Sequence, residues 1–164
     1  MNIILSALGQ RANSEIDLRT RANTPIENLQ AWHHSAFEWN QLSANLKRFR
    51  EPDAKKLGGC SPVYNCHGLT FGSRRTAVKE SNEVIFTALQ DDDFVEIPQD
   101  DVRPGDVILY LDSSGQVQHS GLVVDTIATG IARVWSKWGK GDEWIHHFAA
   151  CPYDPEHTRY FRLK

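Results

Sequence analysis

The chain has 164 residues, a formal net charge of −3 at pH 7 and an apolar fraction of 40%. This length suits one domain with its own core and is too short for two, so we expect residues 1–164 to form a single domain. The small net charge and the lack of a strongly basic tract argue against a nucleic-acid-binding surface. No apolar run approaches the roughly 18 residues that span a bilayer, so membrane insertion is not expected.

The start of the chain does not fit a secretory signal peptide. Its apolar stretch, residues 3–8, is short and has no basic leader. We therefore expect synthesis in the cytoplasm, with export only through a dedicated secretion system or a phage lysis system. The three cysteines, Cys60, Cys66 and Cys151, form an odd set at uneven spacing. This count does not suggest a disulfide scaffold and leaves at least one thiol to be explained.

Residues 1–50 are interpreted as a helical N-terminal extension. From Pro25 onward, apolar residues recur at helical spacing, which predicts a helix that runs to about Arg50. Thr24 before Pro25, with Glu27 three residues after Thr24, matches a capping box with proline at the first helical position.

The rest of the chain changes from helical to extended patterns. A Gly- and Pro-rich loop, residues 55–65, is followed by a helix that begins near Cys66 and by another over residues 81–90. After Pro98 the patterns are those of strands. Five strands are expected, at residues 107–111, 119–125, 131–136, 143–148 and 158–163. Helices followed by an antiparallel meander predict an α+β fold.

Cys66 is the first candidate for chemistry. It follows the Gly/Pro loop and stands at the expected start of a helix. A helix N-terminus lowers the pKa of a thiol and offers backbone N–H groups to an oxyanion. Most free cysteines, however, are small buried apolar residues, so this segment alone leaves both interpretations open.

His119 is the second candidate. It begins a strand that follows the apolar run 107–111 and a turn. A histidine on a rigid strand can hold its imidazole against a thiol from elsewhere in the chain. A strand histidine taken alone is more often structural, so the pairing depends on the motifs around both residues.

Those motifs resemble the ones in NlpC-type and CHAP cysteine peptidases. Residues 64–69, YNCHGL, look like the NlpC nucleophile motif Asp-Cys-Ser-Gly-Leu, and residues 58–62, GGCSP, resemble the Gly-Gly-x-Ser-Pro loop that precedes it. Residues 103–107, RPGDV, are similar to the Pro-Gly-Asp-Leu strand, and residues 119–121, HSG, to the His-Val-Gly strand. The ordered set covers about residues 57–136, half of the chain.

The resemblance implies a papain-like fold, in which N-terminal helices pack on a small antiparallel sheet of about five strands. It also implies that Cys66 attacks an amide carbonyl, while His119 takes the thiol proton and later passes one to the leaving amine. The substrate would be a peptide or a peptidoglycan fragment. The setting would be an antibacterial effector held in check by an immunity protein, or a phage lysin. No cofactor and no metal are expected for this chemistry.

The residues beside the cysteine depart from the family pattern. Asn65 stands where the family usually has Asp, which puts the substrate class in question more than the nucleophile. Tyr64, Asn65 and His67 are expected to support the nucleophile loop and the oxyanion.

A third residue should orient the imidazole of His119. Strand alternation along residues 131–136 makes Ser136 the first choice. His146, on the following strand, is the alternative orienter.

Three other functions stay open for the same residues. One is a toxin that deamidates a protein target or transfers an acyl group. Another is a binding module without catalysis. The third is a zinc site, whose ligands would be Cys60, Cys66 and His67 with His146, His147 or Cys151. The spacing between the first two cysteines is wider than that of most structural zinc pairs, which weakens this alternative.

Overall fold

The computed structural model describes residues 12–38, 40, 54–126 and 132–164. Within these residues the strands are β1 Asn28–Leu29, β2 Lys55–Gly58, β3 Ala77–Val78, β4 Phe94–Ile97, β5 Val107–Leu111, β6 Val117–Thr126, β7 Ala132–Lys137, β8 Glu143–His147 and β9 Thr158–Leu163. The helices are α1 Cys66–Thr70 and α2 Asn82–Asp91, with a 3₁₀ helix at Gln99–Asp101.

A seven-stranded antiparallel sheet dominates the structure. Its strand order is β2-β8-β7-β6-β5-β9-β4, and β1 pairs with β3 in a separate two-stranded ribbon. The expected fold, helices packed on a small sheet of about five strands, is therefore wrong. The sheet is larger, and both bounded helices are short, at 5 and 10 residues.

The predicted helix over residues 25–50 is wrong over residues 25–35. The chain at Pro25 bridges to Arg19 in an extended pairing, and β1 follows at residues 28–29. The Thr24 hydroxyl donates to Asp91 instead of capping a helix. Residues 36–38 are helical, and residues 39 and 41–50 lie outside the described part of the chain. Ile26 is buried although it lies in an extended segment. The helical spacing of the apolar residues here therefore does not mark one face of a helix.

The five predicted strands are confirmed as β5 to β9 within one or two residues at their ends, apart from residue 131, which is not described. The sheet gains two edge strands that the sequence did not predict, β2 and β4. Both edge strands are only four residues long, and β2 is largely exposed. Short edge strands of mixed polarity show no clear alternation of apolar and polar residues, so the sequence pattern does not predict them.

The core lies on both faces of the sheet. One cluster packs α2 onto β5 through residues that include Ile85, Leu89 and Leu109. The other cluster, on the opposite face, includes Ile108 and Tyr110. All five residues of β5 are buried, as the continuous apolar run predicts for a strand covered on both sides.

The Pro-Gly-Asp segment fixes the start of β5. Asp106 is buried and accepts two bonds from the Arg162 guanidinium, at 2.9 and 2.7 Å, and one from the backbone N–H of Arg103 at 2.7 Å. This bidentate pair ties the start of β5 to β9. Among the residues that the structure describes, no helix is long and apolar enough to cross a membrane.

Candidate functional site

Cys66 is the first residue of α1 and is 1% exposed. This helix packs against β6, the strand that carries His119. The Cys66 sulfur interacts with the backbone N–H of Ser120, the residue that follows His119, and with the backbone N–H of His67. The structure thus places the thiol beside the peptide unit that links His119 to Ser120.

Burial decides the ionisation of this thiol. Removal from water raises the pKa of Cys66 to about 12, and the nearby Glu80 carboxylate adds to the rise. The surrounding backbone N–H groups oppose the rise but do not cancel it. The lowered thiol pKa expected for a helix start is therefore absent in this closed arrangement, and a thiolate forms only if water, substrate or a cation reaches the sulfur.

Asn65 caps α1 and joins it to β3. Its Oδ1 accepts from the backbone N–H of Gly68 at 2.9 Å and of Val78 at 3.1 Å. Its Nδ2 donates to the Val78 carbonyl at 2.8 Å and to Glu80 at 3.3 Å. The Asn65 side chain thus bonds to four polar groups of the chain around Cys66.

Tyr64 belongs to a polar network at the other side of the loop. Its hydroxyl donates to Glu143, which also binds the Arg74 guanidinium at 2.9 and 3.1 Å and the Trp135 N–H at 3.0 Å. Burial acts to raise the pKa of Glu143, but Arg74, Tyr64 and Trp135 hold it below its usual range. The network fixes the loop before Cys66, and it gives Tyr64 a partner other than the oxyanion expected for it.

His119 is fully buried and is surrounded by aromatic rings. Tyr153 stacks on its imidazole with ring centroids 4.0 Å apart, and Tyr110 lies at 5.3 Å. Among the described residues, neither ring nitrogen of His119 has a hydrogen-bond partner, so the Cys66 thiol is not bonded to this ring. Burial, with smaller effects from His67 and His146, holds the pKa of His119 well below its ordinary value. The ring is therefore neutral at pH 7, the form that can accept a proton.

Ser136 and His146 bond to each other instead of serving His119. The His146 Nδ1–H donates to the His147 carbonyl at 2.7 Å, so Nε2 is free to accept from the Ser136 hydroxyl at 2.8 Å. Burial lowers the pKa of His146 to about 4, which keeps this tautomer neutral. The structure thus does not place either predicted orienter in hydrogen-bond contact with His119.

His67 faces β6 from α1 and is completely buried. Its Nδ1 is 2.8 Å from the Ser120 hydroxyl, which is itself 2.9 Å from the Thr70 hydroxyl. Burial lowers the pKa of His67 to about 4. The expected role of His67 in supporting an oxyanion has no contact to support it, whereas its bond to Ser120 joins helix to strand next to Cys66.

A thiol–imidazole pair lies at the surface, and the sequence did not predict it. The Cys60 sulfur is 3.0 Å from the His34 Nε2, in a pocket lined by Trp32, His33 and Pro62. Partial burial raises the pKa of Cys60 and lowers that of His34, so the pair is a neutral thiol and imidazole at pH 7. The sequence signal that could have found it is only the presence of two histidines before the Gly-Gly-Cys loop.

Comparisons with protein-family models, with curated proteins and with solved structures give no match for this chain. The likeness to NlpC and CHAP enzymes therefore depends on the short motifs alone.

Proposed function

We propose that the protein is a thiol hydrolase that cleaves an amide bond through an acyl-enzyme on Cys66, with His119 as the base. The observation that supports this proposal is the position of the Cys66 sulfur beside the backbone N–H of Ser120, next to His119 on β6. Nucleophile and base are thereby carried by two elements that pack together, although 53 residues separate them in the sequence.

The reaction balances as a two-step acyl transfer. His119 takes the thiol proton, the Cys66 sulfur adds to the amide carbonyl, and the leaving amine departs with the proton that His119 held. Water then adds to the thioester, and the products are a carboxylic acid and the regenerated thiol. The motifs favour a peptide or a peptidoglycan stem as substrate.

The closed arrangement has to open for this chemistry. Tyr153 covers the imidazole of His119 from the segment between β8 and β9, and the thiol is shielded from water. Displacement of Tyr153 by substrate would expose His119 and hydrate Cys66. Hydration removes the main cause of the raised thiol pKa, because that cause is burial.

A second candidate places the same chemistry at the surface pair. Cys60 and His34 are already within hydrogen-bond distance, at 3.0 Å, and Cys60 is exposed. A substrate could reach this thiol without any rearrangement. The two candidates predict different cysteines in the acyl-enzyme, so one experiment separates them.

The experiment compares wild type with Cys66→Ala, His119→Ala, Cys60→Ala and His34→Ala. Each purified protein is incubated with peptidoglycan sacculi and with a mixed peptide substrate, and released amines are counted. We expect Cys66→Ala and His119→Ala to lose at least about 100-fold in rate, because each removes a group that acts in the chemical step. Cys60→Ala and His34→Ala, the matched controls, should keep most of the activity, and mass spectrometry should find the trapped acyl group on Cys66.

Two results would contradict the proposal. Loss of activity in Cys60→Ala and His34→Ala, with Cys66→Ala unaffected, would assign the reaction to the surface pair. No amine release by wild-type protein from either substrate would remove the amide-hydrolase function altogether. Circular dichroism of every variant shows whether a loss reflects unfolding.

A further inference from the structure

Cys66, His67 and Glu80 form a compact group of possible metal ligands. The Cys66 sulfur, one ring nitrogen of His67 and a Glu80 carboxylate oxygen all lie within 4.8 Å of one another. The first two side chains are buried, whereas Glu80 is exposed and gives the group a route to solvent. Sulfur, imidazole and carboxylate together are a ligand set that zinc accepts.

The hydrogen bonds around His67 leave one nitrogen with a free lone pair. The Thr70 hydroxyl donates to the Cys66 carbonyl at 3.0 Å, so the Ser120 hydroxyl must donate to Thr70 and accept from the His67 Nδ1–H. The other nitrogen, Nε2, is then unprotonated, and it has no partner among the described residues. This is the tautomer in which a histidine binds a metal, with its second nitrogen oriented by a hydroxyl.

The Glu80 carboxylate is hydrogen-bonded to Asn65, the residue before Cys66. Asn65 Nδ2 donates to Glu80 at 3.3 Å, and the same amide group is anchored on the backbone of Val78. A buried nitrogen without a partner and a buried thiol that carries a proton both cost stability in the metal-free state. A divalent cation would give the nitrogen a partner and stabilise the thiolate.

We propose that Cys66, His67 and Glu80 bind one divalent transition-metal ion of the zinc class. Ligand distances of about 2.0–2.3 Å require the three donor atoms to close to about 3.5 Å from one another. The exposed Glu80 side chain can move toward the two buried donors, and the Cys66 and His67 side chains must close any excess in their own separation. Binding releases the Cys66 thiol proton to solvent, and three protein ligands leave the fourth tetrahedral position open.

This site goes beyond the proposed hydrolase function and has its own readout. An ion on the Cys66 sulfur occupies the nucleophile, so the metal-loaded protein would be the inactive form and the metal-free protein the active one. Cobalt absorption reports on the metal site without any hydrolase assay. Failure of the hydrolase in metal-free protein would therefore leave the metal proposal standing, and the reverse also holds.

The test is a titration of chelator-treated protein with Co²⁺, followed by displacement with Zn²⁺. Wild type should develop the near-ultraviolet band of a cobalt–thiolate bond at one equivalent and lose it when Zn²⁺ is added. Cys66→Ser should lose the band. Glu80→Gln should weaken Co²⁺ binding at least about tenfold, because loss of a group that only orients a ligand already lowers metal affinity by that factor and Glu80 is itself a ligand. Glu80→Gln is the decisive variant, since this exposed side chain can be changed without disturbing the core.

Cys60→Ser and Cys151→Ser are the matched controls, and both should keep the band. The proposal is overturned if wild type shows no band, if the band survives in Cys66→Ser, or if Glu80→Gln binds Co²⁺ as tightly as wild type. Loss of the band in either control would place the thiolate elsewhere and overturn it equally.

Discussion

At the scale of one residue, the hydrogen bonds of Asn65 explain why an amide side chain suits the position before Cys66. Its amide group donates to the Val78 carbonyl at 2.8 Å and to Glu80 at 3.3 Å, while its oxygen accepts two backbone N–H groups. A carboxylate could keep the two accepted bonds but could donate neither of the others. Asparagine is therefore matched to this position by the neighbours on β3 and by Glu80.

Asn65→Asp should destabilise the protein by about 1–3 kcal/mol. The change sets a buried carboxylate against the Val78 carbonyl and the Glu80 carboxylate, with both donated bonds lost. Urea unfolding at pH 7 measures the difference. Asn82→Asp is the control, because Asn82 also donates to one carbonyl and accepts one N–H but is partly solvated. Its cost should be below about 1 kcal/mol, and an equal cost at both sites would contradict this account of Asn65.

The sequence motifs predict Cys66 and His119 as a catalytic pair. In the structure these residues lie on α1 and β6, which pack together. The hydrogen-bond partners around the two residues do not follow from the motifs. The register of β7 with β8 places Val134 opposite His146. Ser136 lies two residues from Val134 on β7, so its side chain is on the same face of the sheet as His146 and bonds to it. Register depends on contacts along whole strands, and a single-residue alternation rule cannot give it.

Helix α1 depends on Gly68 for its contact with the chain that leads into β3. A Cβ at this position would lie 1.9 Å from the Thr76 carbonyl oxygen and 3.0 Å from the Thr76 carbonyl carbon. Both contacts are with backbone, which cannot rotate away as a side chain can. The glycine thus permits the close approach of α1, the helix that carries Cys66, to Thr76.

Gly68→Ala should destabilise the protein by at least about 2 kcal/mol, since the helix must move away from Thr76. The same movement should displace Cys66 and speed its alkylation by iodoacetamide, which mass spectrometry can locate. Gly59→Ala is the matched control, because an added Cβ there has no atom within 4 Å. Equal stability of the two variants would show that α1 does not depend on this contact.

The strands were predictable and the N-terminal segment was not, for reasons that lie in their surroundings. Strands β5 to β9 carry apolar or alternating runs bounded by turn residues. These runs predict strands correctly because they match strands that are buried on both faces or on one face of the sheet. The segment over residues 25–35 has helical spacing without being helical. Its buried residues, Ile26 and Ala31, reach the core from an extended chain held by the pairing of Asn28 with Val78. Such tertiary pairing overrides a local pattern.

At the scale of the whole molecule, the buried histidines make folding sensitive to mild acid. His67, His119 and His146 are each 0% exposed, and burial lowers the pKa of all three. In the unfolded chain the same groups bind a proton near their ordinary pKa of 6.5. Between that value and the lowered folded values the unfolded state binds more protons, so stability falls as the pH is lowered.

His146 makes this effect measurable. With a folded pKa of about 4, this residue alone should cost the protein about 2 kcal/mol of stability between pH 7 and pH 5. Carboxylates held below their usual pKa, such as Glu143, titrate mainly below this window and therefore contribute little to the change. Urea unfolding at both pH values should show a smaller loss for His146→Gln than for wild type, while His33→Gln, at an exposed site, should match wild type. If wild type and His146→Gln lost the same stability, His146 would have to be solvated or protonated in the native state, and the Ser136–His146 bond would not be the neutral pair that the geometry defines.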